Sequence, residues 1–503
     1  MADDVSAHVA FSTDPIELDA DYVVVGSGAG GATAAVTLAR AGASVVIVEA
    51  GPWRDPKDYP ASAYGALRDL LDDWSTQVTR GRALWPVVQA RVVGGTTVVN
   101  SAIAVRTPPD VFERWQSEHG VGAALRDPVW RHQDDLEREL SVEEVPEASL
   151  GRSNLLAISG DRSAGFSGHV MRRYAKRCAG SGQCLQGCRG EKKQSTNLTF
   201  VPETIMRGGR VLSSAPVERV LFEGRRAVGV TGRFIDPATR QHGGRFTVRA
   251  KKAVIVAASA THSPALLQRS GVRSPALGTA FRAHPGTGVI GCYDDPVDMN
   301  VGVTQGWAST KFRESPGLKL ETLAIPLELV ASRLSGGGHL LMDRLARYRH
   351  FAMWCHAVRA ESAGTVKNGF GDKPVVRYTL DRADMLRFRD GMRLLAEMHF
   401  AAGARAVIPG VVGLPFEISA DQLPLMRDAP LDPRAYVAIL SHLFGGCPMG
   451  ADASRAVCDE HGRVHGYEAL VVADASVIPT NLGVNPQHTI MALAREFSER
   501  LLS

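Results

Sequence analysis

An α/β fold is predicted by three observations. Residues 21–50, DYVVVGSGAGGATAAVTLARAGASVVIVEA, read as a strand, a glycine turn, a helix and a second strand; AVIVAASATHSPALLQRSG, from residue 253, repeats strand and helix; and LVVADASVIPTNLGVNPQHTIMALAREFSERL, from residue 470, closes the chain with strand, loop and helix. Buried strands alternating with helices predict a parallel sheet with helices packed over it.

In the first unit, residues 21–25 end in a β-branched apolar run suited to a buried parallel strand. Gly26, Gly28 and Gly31 follow as G-x-G-x-x-G, and each glycine has its own task. The first allows a tight turn, the second lets the backbone approach a pyrophosphate at the positive helix N-terminus, and the third lets helix and strand pack closely. Residues 32–41 are helix-forming and Gly42 stops them. The strand that follows delivers Glu49, about 20 residues past the glycines, where a carboxylate accepts hydrogen bonds from an adenosine ribose. That argues against a 2′-phosphate and leaves FAD or NAD. The glycines alone also suit a plain turn between buried elements, but both strands, helix and terminal acid in register favour a Rossmann-like dinucleotide-binding domain.

After Glu49 comes a loop, AGPWRDPKDYP, and then a helical region over residues 61–74. In RVVGGTTVVNSAIAVRTPPDVFERW, Gly94, Gly95, Thr96, Thr97 and Asn100 offer backbone N–H groups and small polar side chains, which suits close approach to a phosphate or a flavin ring; a surface turn fits equally. Residues 128–167 are charged and weakly patterned. In RRYAKRCAGSGQCLQGCRGEKKQST, Cys178, Cys184 and Cys188 form C-x5-C-x3-C beside a basic run. Three thiolates suit a three-iron cluster, or zinc with a fourth ligand from elsewhere. The spacing matches no C-x2-C pattern, so plain thiols and no metal are the expectation.

Residues 211–256 read as strands, two of them turning at Glu223 and Gly224. Ser263 is expected to cap a helix with Pro264 at its first position and Gly271 at its end, in a second crossover aimed at the same sheet, with His284 and Pro285 at a return turn. From about residue 291 to 438 the pattern changes to a second domain that builds a substrate pocket. It includes a strand and turn over residues 350–369, and a helix over 383–404 with Leu386, Met392 and Leu395 among its apolar positions. LSHLFGGCPMG then places His442 ahead of a double glycine, and Ile490, Leu493, Ala494 and Phe497 fall on one face of the final helix.

With 503 residues, 45% hydrophobic and 22% charged, the chain suits two or three globular cores. A net charge of +4 without a long basic run gives no reason to expect nucleic acid or a membrane surface as partner. No stretch approaches the roughly 18 apolar residues of a membrane span. The N-terminus, MADDVSAHVAFSTDPIELDA, lacks the basic and apolar parts of a secretory leader, and seven cysteines, an odd number, fit a reducing compartment; a cytoplasmic protein is the expectation.

Four pieces stand in order along the chain: the glycine fingerprint ending in Glu49-Ala50-Gly51, the GGTTVVN loop, ATHSPALLQRSG, and the C-terminal motifs carrying His442 and Asn485. Together they resemble the glucose-methanol-choline (GMC) flavoprotein oxidoreductases over nearly the whole chain. GRVHGYEALVVADASVIPTNLGVNP looks most like the cholesterol-oxidase branch, whereas GGTTVVNSAIAVRTP and CLQGCRGEKKQST look more like bacterial long-chain alcohol oxidases. The resemblance implies FAD as cofactor, an FAD-binding domain from residues 1–110, 185–290 and 438–503, and a discontinuous substrate domain with an antiparallel sheet from 111–184 and 291–437. It implies that His442 is the active-site histidine, Asn485 the second catalytic position and Asn100 a loop asparagine near the flavin. It further implies cofactor-binding positions at Gly94, Gly95, Thr96, Val217, Asp474, Ala475, Asn485 and Pro486, beside Gly26, Gly28, Gly31, Glu49 and Ala50. Relatives with covalent FAD carry a histidine directly before the loop asparagine; Val99 stands there, which implies noncovalent FAD.

The implied chemistry needs a group to take a hydroxyl proton while a hydride leaves the same carbon for flavin N5, and a neutral imidazole suits this. His442 is expected as that base, or as the hydrogen bond that orients the alcohol; a histidine satisfied by carbonyls at a glycine turn is the plainer alternative. Asn485 precedes Pro486 and also suits an N-cap of the last helix, whose N-terminus would favour negative charge on a reduced ring. His488 is expected to be structural. Glu361 is an alternative base, in a turn where cholesterol-oxidase relatives carry a carboxylate. The expected activity is oxidation of a small-molecule alcohol to aldehyde or ketone, with O2 or another compound as electron acceptor. The substrate expectation leans to a hydroxymethyl of a sugar or amino-sugar intermediate, as in secondary-metabolite oxidases of the family, with sterol or long-chain alcohols as the alternative. A redox-silent flavin lyase or scaffold is the alternative of another class.

Overall fold

The computed structural model describes residues 6–503. An eight-stranded sheet runs in the order His8–Val9, Arg210–Leu212, Val45–Val48, Ile16–Val25, His242–Val256, Arg226–Ile235, Val217–Glu223, with Leu470–Val472 also paired to His242–Val256. Its centre is parallel, with Val23 opposite Val254 and Val46 in register. Arg226–Ile235 and Val217–Glu223 form an antiparallel wing, turning after Glu223 as expected. Consecutive residues of a strand face opposite sides, and Val23 and Val24, like Val254 and Ile255, are all fully buried. Both faces are therefore covered, which is why these strands read as unbroken apolar runs. Helix Ala29–Arg40 lies against the last helix, Gln487–Leu502, whose Leu493, Ala494 and Phe497 are buried and whose Ile490 is half-buried.

The second sheet has seven strands, in the order Ala406–Ile408, Arg282–Cys292, Phe351–Val358, Leu318–Thr322, Trp307–Ser309, His169–Val170, with Ile439–Phe444 also paired to Arg282–Cys292. All its pairings are antiparallel. Helix Arg382–Ala401 covers one face through Met392 and Leu395, and its His399 stacks on Trp354 at 3.7 Å. Leu386, expected on that apolar face, is exposed instead.

His284 and Pro285 do not form a return turn. They lie inside strand Arg282–Cys292, and the register slips between them, so the missing N–H of Pro285 falls at an irregularity in the ladder. This strand and Ile439–Phe444 belong to the second sheet, although the expected boundaries at 290 and 438 assign most of them to the cofactor side. The helix after His242–Val256 runs His262–Arg269, so Ser263 is inside its first turn rather than capping it. The Ser263 hydroxyl is taken by the buried Asp474 carboxylate. The helix expected over residues 61–74 is only Ala63–Asp69, capped by Ser62, because Asp73, Trp74 and Ser75 all take positive φ. No helix among the described residues is long and apolar enough to cross a membrane.

Candidate active site

A cavity of about 950 Å³ lies between the two sheets. One wall carries Gly26, Gly28, Glu49, Ala50, Gly95, Thr96, Asn100, Val217, Asp474, Ala475 and Pro486, and the other Glu321, Leu323, Ile325, Met353 and Val437. Of the expected cofactor positions, Gly31 and Gly94 stand behind the wall. A Cβ on Gly31 would sit 2.1 Å from the Gly26 carbonyl oxygen, so this glycine allows the helix to press on the strand. Gly94, at φ +98°, donates its N–H to the Ser27 hydroxyl and shapes the second loop.

The two glycine loops touch: a Cβ on Gly95 would lie 2.8 Å from Gly28 Cα. A Cβ on Gly28 would meet nothing closer than 3.9 Å and would project into the cavity, at the N-terminus of helix Ala29–Arg40. Glu49 accepts from the Ser27 and Gly51 N–H groups, at 2.9 and 2.7 Å, and from the Ser27 hydroxyl. Burial pushes its pKa up despite those bonds. Asp474 is likewise raised by burial, and accepts from the N–H groups of Ser259 and Ser476. Asn100 donates to the Gln487 side chain at 2.7 Å and accepts from the Ala102 N–H, which holds its loop to the last helix. Thr97 is buried and braces the loop by donating to the Gly94 carbonyl.

His442 and Asn485, 43 residues apart in sequence, meet on the cavity wall with Nε2 and Nδ2 separated by 3.3 Å. His442 stands opposite His284 across paired strands, their Nδ1 atoms 3.2 Å apart. The Gly483 N–H donates to His284 Nε2 at 3.0 Å. A neutral His284 therefore carries its proton on Nδ1 and donates it to His442 Nδ1, leaving the His442 proton on Nε2. Because Asn485 Nδ2 is also a donor, the two groups offer their protons to a shared acceptor position in the cavity and do not bond to each other. Burial pulls the His442 pKa down to about 4, so the ring is neutral near pH 7. Asn485 does not cap the last helix; Pro486 holds the N-cap position. The Asn485 side-chain oxygen instead accepts a bond from Lys319.

Lys319 and Glu321 are absent from the sequence-based expectation. Both are buried in strand Leu318–Thr322, 2.5 Å apart, and Gln305 donates to Glu321 at 3.2 Å. Burial alone would raise the Glu321 pKa; Lys319, His442 and Asn485 outweigh it and hold the carboxyl below its usual range. The local signal is LKLET itself, where the charges at alternate positions share one face of an otherwise apolar strand. Glu361 is on the outside, bonded to Arg114 at 2.6 and 2.8 Å, and does not line the cavity. His488 is fully buried and bonded to the Tyr174 hydroxyl, away from His442.

Models of the N- and C-terminal parts of GMC oxidoreductase match residues 20–286 and 361–494. An uncharacterized GMC-type oxidoreductase of Mycobacterium tuberculosis is 36% identical over 504 residues, covering 99% of this chain and 78% of that protein. A long-chain-alcohol oxidase of Arabidopsis thaliana is 27% identical over 97% of this chain and 67% of its own. Among solved structures, a formate oxidase of Aspergillus oryzae studied for its FAD modification shares the fold, with a TM-score of 0.72 at 17% identity over 96% of this chain and 98% of that one. The cavity fits the cofactor of such enzymes: an open glycine cradle at a helix N-terminus suits a pyrophosphate, and Glu49 lies at the end of the adjacent strand to meet a ribose. By these matches over nearly its whole length, the chain belongs to the GMC oxidoreductase family, whose cofactor is FAD.

Proposed function

We propose that the protein oxidises an alcohol with an extended apolar body to an aldehyde or ketone, using FAD held without a covalent bond. The observation that carries this reading is the meeting of His442, Asn485 and the buried Glu321 on the wall of a mainly apolar cavity. Bound FAD would supply the hydride acceptor. His442, neutral and protonated on Nε2, and the Asn485 amide both donate toward the position of a hydroxyl oxygen and orient it. Glu321, ionised beside Lys319, is the group that takes the hydroxyl proton, a contribution typically worth about 10² to 10⁴ in rate. Of the two roles expected for His442, this favours orienting the alcohol over acting as base.

The second-sheet wall continues into Leu323, Ile325, Leu329, Met353, Val437 and Ile439, which suits a hydrocarbon body. An amino sugar would bring charged amines, and the Glu321 carboxylate is already paired with Lys319. The long-chain or sterol-like class is therefore preferred to the amino-sugar class. Val99, directly before Asn100, has no nucleophile with which to tie the cofactor.

Anaerobic addition of long-chain alcohols, sterols and aminoglycoside-like sugars to the flavin-loaded protein tests this. Bleaching of the flavin band by the apolar alcohols is expected. Bleaching only by the sugars would replace the substrate class, and a flavin that none of them reduces would support a lyase or scaffold. Admitting air to the reduced protein then tells oxygen from another acceptor, and acid precipitation should leave the flavin in the supernatant.

A further inference from the structure

The three clustered cysteines lie outside the proposed chemistry, and two buried cations sit among them. The Arg173 guanidinium and the Lys193 ammonium are each about 2% exposed. Among the described residues neither forms a salt bridge to a carboxylate. Lys193 donates to three backbone carbonyls, those of Val98, Asn100 and Cys184. Arg173 donates from Nε to the Ser101 carbonyl, and its two terminal nitrogens face two sulfurs, Cys178 Sγ at 3.8 Å and Cys184 Sγ at 3.0 Å. Two positive charges taken out of water favour an anion nearby, and at the Arg173 guanidinium the groups in place to supply it are the two sulfurs.

We propose that Cys184 is a thiolate that reacts with hydrogen peroxide and that Cys178, on the same guanidinium, resolves the product to a disulfide. In the first step the Cys184 sulfur attacks one peroxide oxygen; the S–O bond forms, the O–O bond breaks, and hydroxide leaves to become water. The sulfur is oxidised to a sulfenic acid and the peroxide is reduced. In the second step the Cys178 sulfur attacks that of Cys184; the S–S bond forms, the S–OH bond breaks, and the Cys178 thiol proton leaves with the hydroxide as water.

Burial alone would raise the Cys184 thiol, but Arg173 and Lys193 outweigh it and bring its pKa down to about 7. By contrast burial leaves the Cys292 and Cys355 thiols, in the second sheet, well above the usual range, and the same holds for Cys447 and Cys458. A metal centre is the competing use of these sulfurs. Among the described residues, the group of histidine, cysteine and acidic ligand atoms close enough to share an ion is His132, Glu496 and Glu499, with no cysteine in it. The site also has a position that matters: the two cations hold the carbonyls of residues 98, 100 and 101, the stretch that carries Asn100 to the cavity.

The test is to treat the purified flavin-loaded protein with stoichiometric hydrogen peroxide at pH 7 and map the cysteines by mass spectrometry. Cys184 should be modified first, at least about tenfold faster than Cys188, as expected for a half-ionised thiol held on the Arg173 guanidinium. The end product should be a Cys178–Cys184 disulfide that dithiothreitol reverses. In Cys178→Ser the sulfenic acid should persist and be trapped by dimedone. Arg173→Gln should erase the advantage of Cys184; the Cys178→Ser experiment keeps the test sharp if that variant does not fold. Equal rates at Cys184 and Cys188, a disulfide to Cys188 instead, or iron or zinc present at one centre per chain and lost in Cys184→Ser would each overturn the proposal. None of these readouts depends on which alcohol is oxidised, so the two proposals fail separately.

Discussion

Glu321 and Lys319 are the side chains on which the proposed chemistry turns. Glu321→Gln keeps the shape and an oxygen for Lys319 but removes the proton acceptor. It should lower the rate of anaerobic flavin reduction about 10²- to 10⁴-fold while flavin content stays unchanged. A loss of flavin instead would mean that Glu321 supports the cofactor. Because Lys319 and its neighbours hold the Glu321 carboxyl low, it stays ionised as the pH falls, and activity should be lost only as the pH drops through that lowered value. Lys319→Met should move this acid limb upward. It should also cost about 3 to 5 kcal/mol, because an unpaired carboxylate is left buried, so the profile is to be read below the melting temperature of the variant. Asn485→Ala removes a donor from the hydroxyl and a partner from Lys319, and should reduce the rate about 10²- to 10³-fold. At this scale the sequence was only partly legible. His442 and Asn485 could be found by motif, but nothing local says that LKLET turns its charged face toward them.

Two glycines of one fingerprint separate fold from function at the level of the element. Gly26 has φ +99°, and a Cβ there would lie 2.3 Å from the Ala257 carbonyl oxygen, so Gly26→Ala forces apart the strand ends. A destabilisation of about 1 to 3 kcal/mol or more should appear in a thermal melt. Gly28 has open space instead, so Gly28→Val should fold with a near-native melting temperature and fail to retain flavin, read as the ratio of flavin to protein absorbance. Flavin retained at full stoichiometry in Gly28→Val would mean that this turn is not the pyrophosphate cradle. The spacing of these glycines was legible because turn, helix start and strand end all lie within about ten residues. Strand Arg282–Cys292 was not: a proline suggests a turn until the neighbouring strands absorb it at a register slip.

The whole molecule carries several buried neutral histidines, and its stability should register them. Burial pulls His356 and His399 down to about 3 and His442 to about 4, and His284 well below its ordinary value. In the unfolded chain all four titrate near 6.5. The unfolded state thus binds more protons as the pH falls below 6.5, and each histidine withdraws up to about 1.4 kcal/mol per pH unit from there to its folded value. The melting temperature should fall steeply between pH 6 and 4, with little change attributable to these groups between pH 7 and 8; a flat profile down to pH 4 would mean that the rings are hydrated or charged in the folded state. The nucleotide-binding unit, the acid that ends its second strand and the family itself were determined by the sequence alone, because the interactions that define them are local and depend on residue type and spacing. The tertiary structure decided which sheet receives Arg282–Cys292 and Ile439–Phe444, and that His284, Lys319, Glu321, His442 and Asn485 meet in one cluster beside the cavity. Those contacts depend on the register between strands far apart in the chain, and a shift of one residue would turn each side chain to the opposite face.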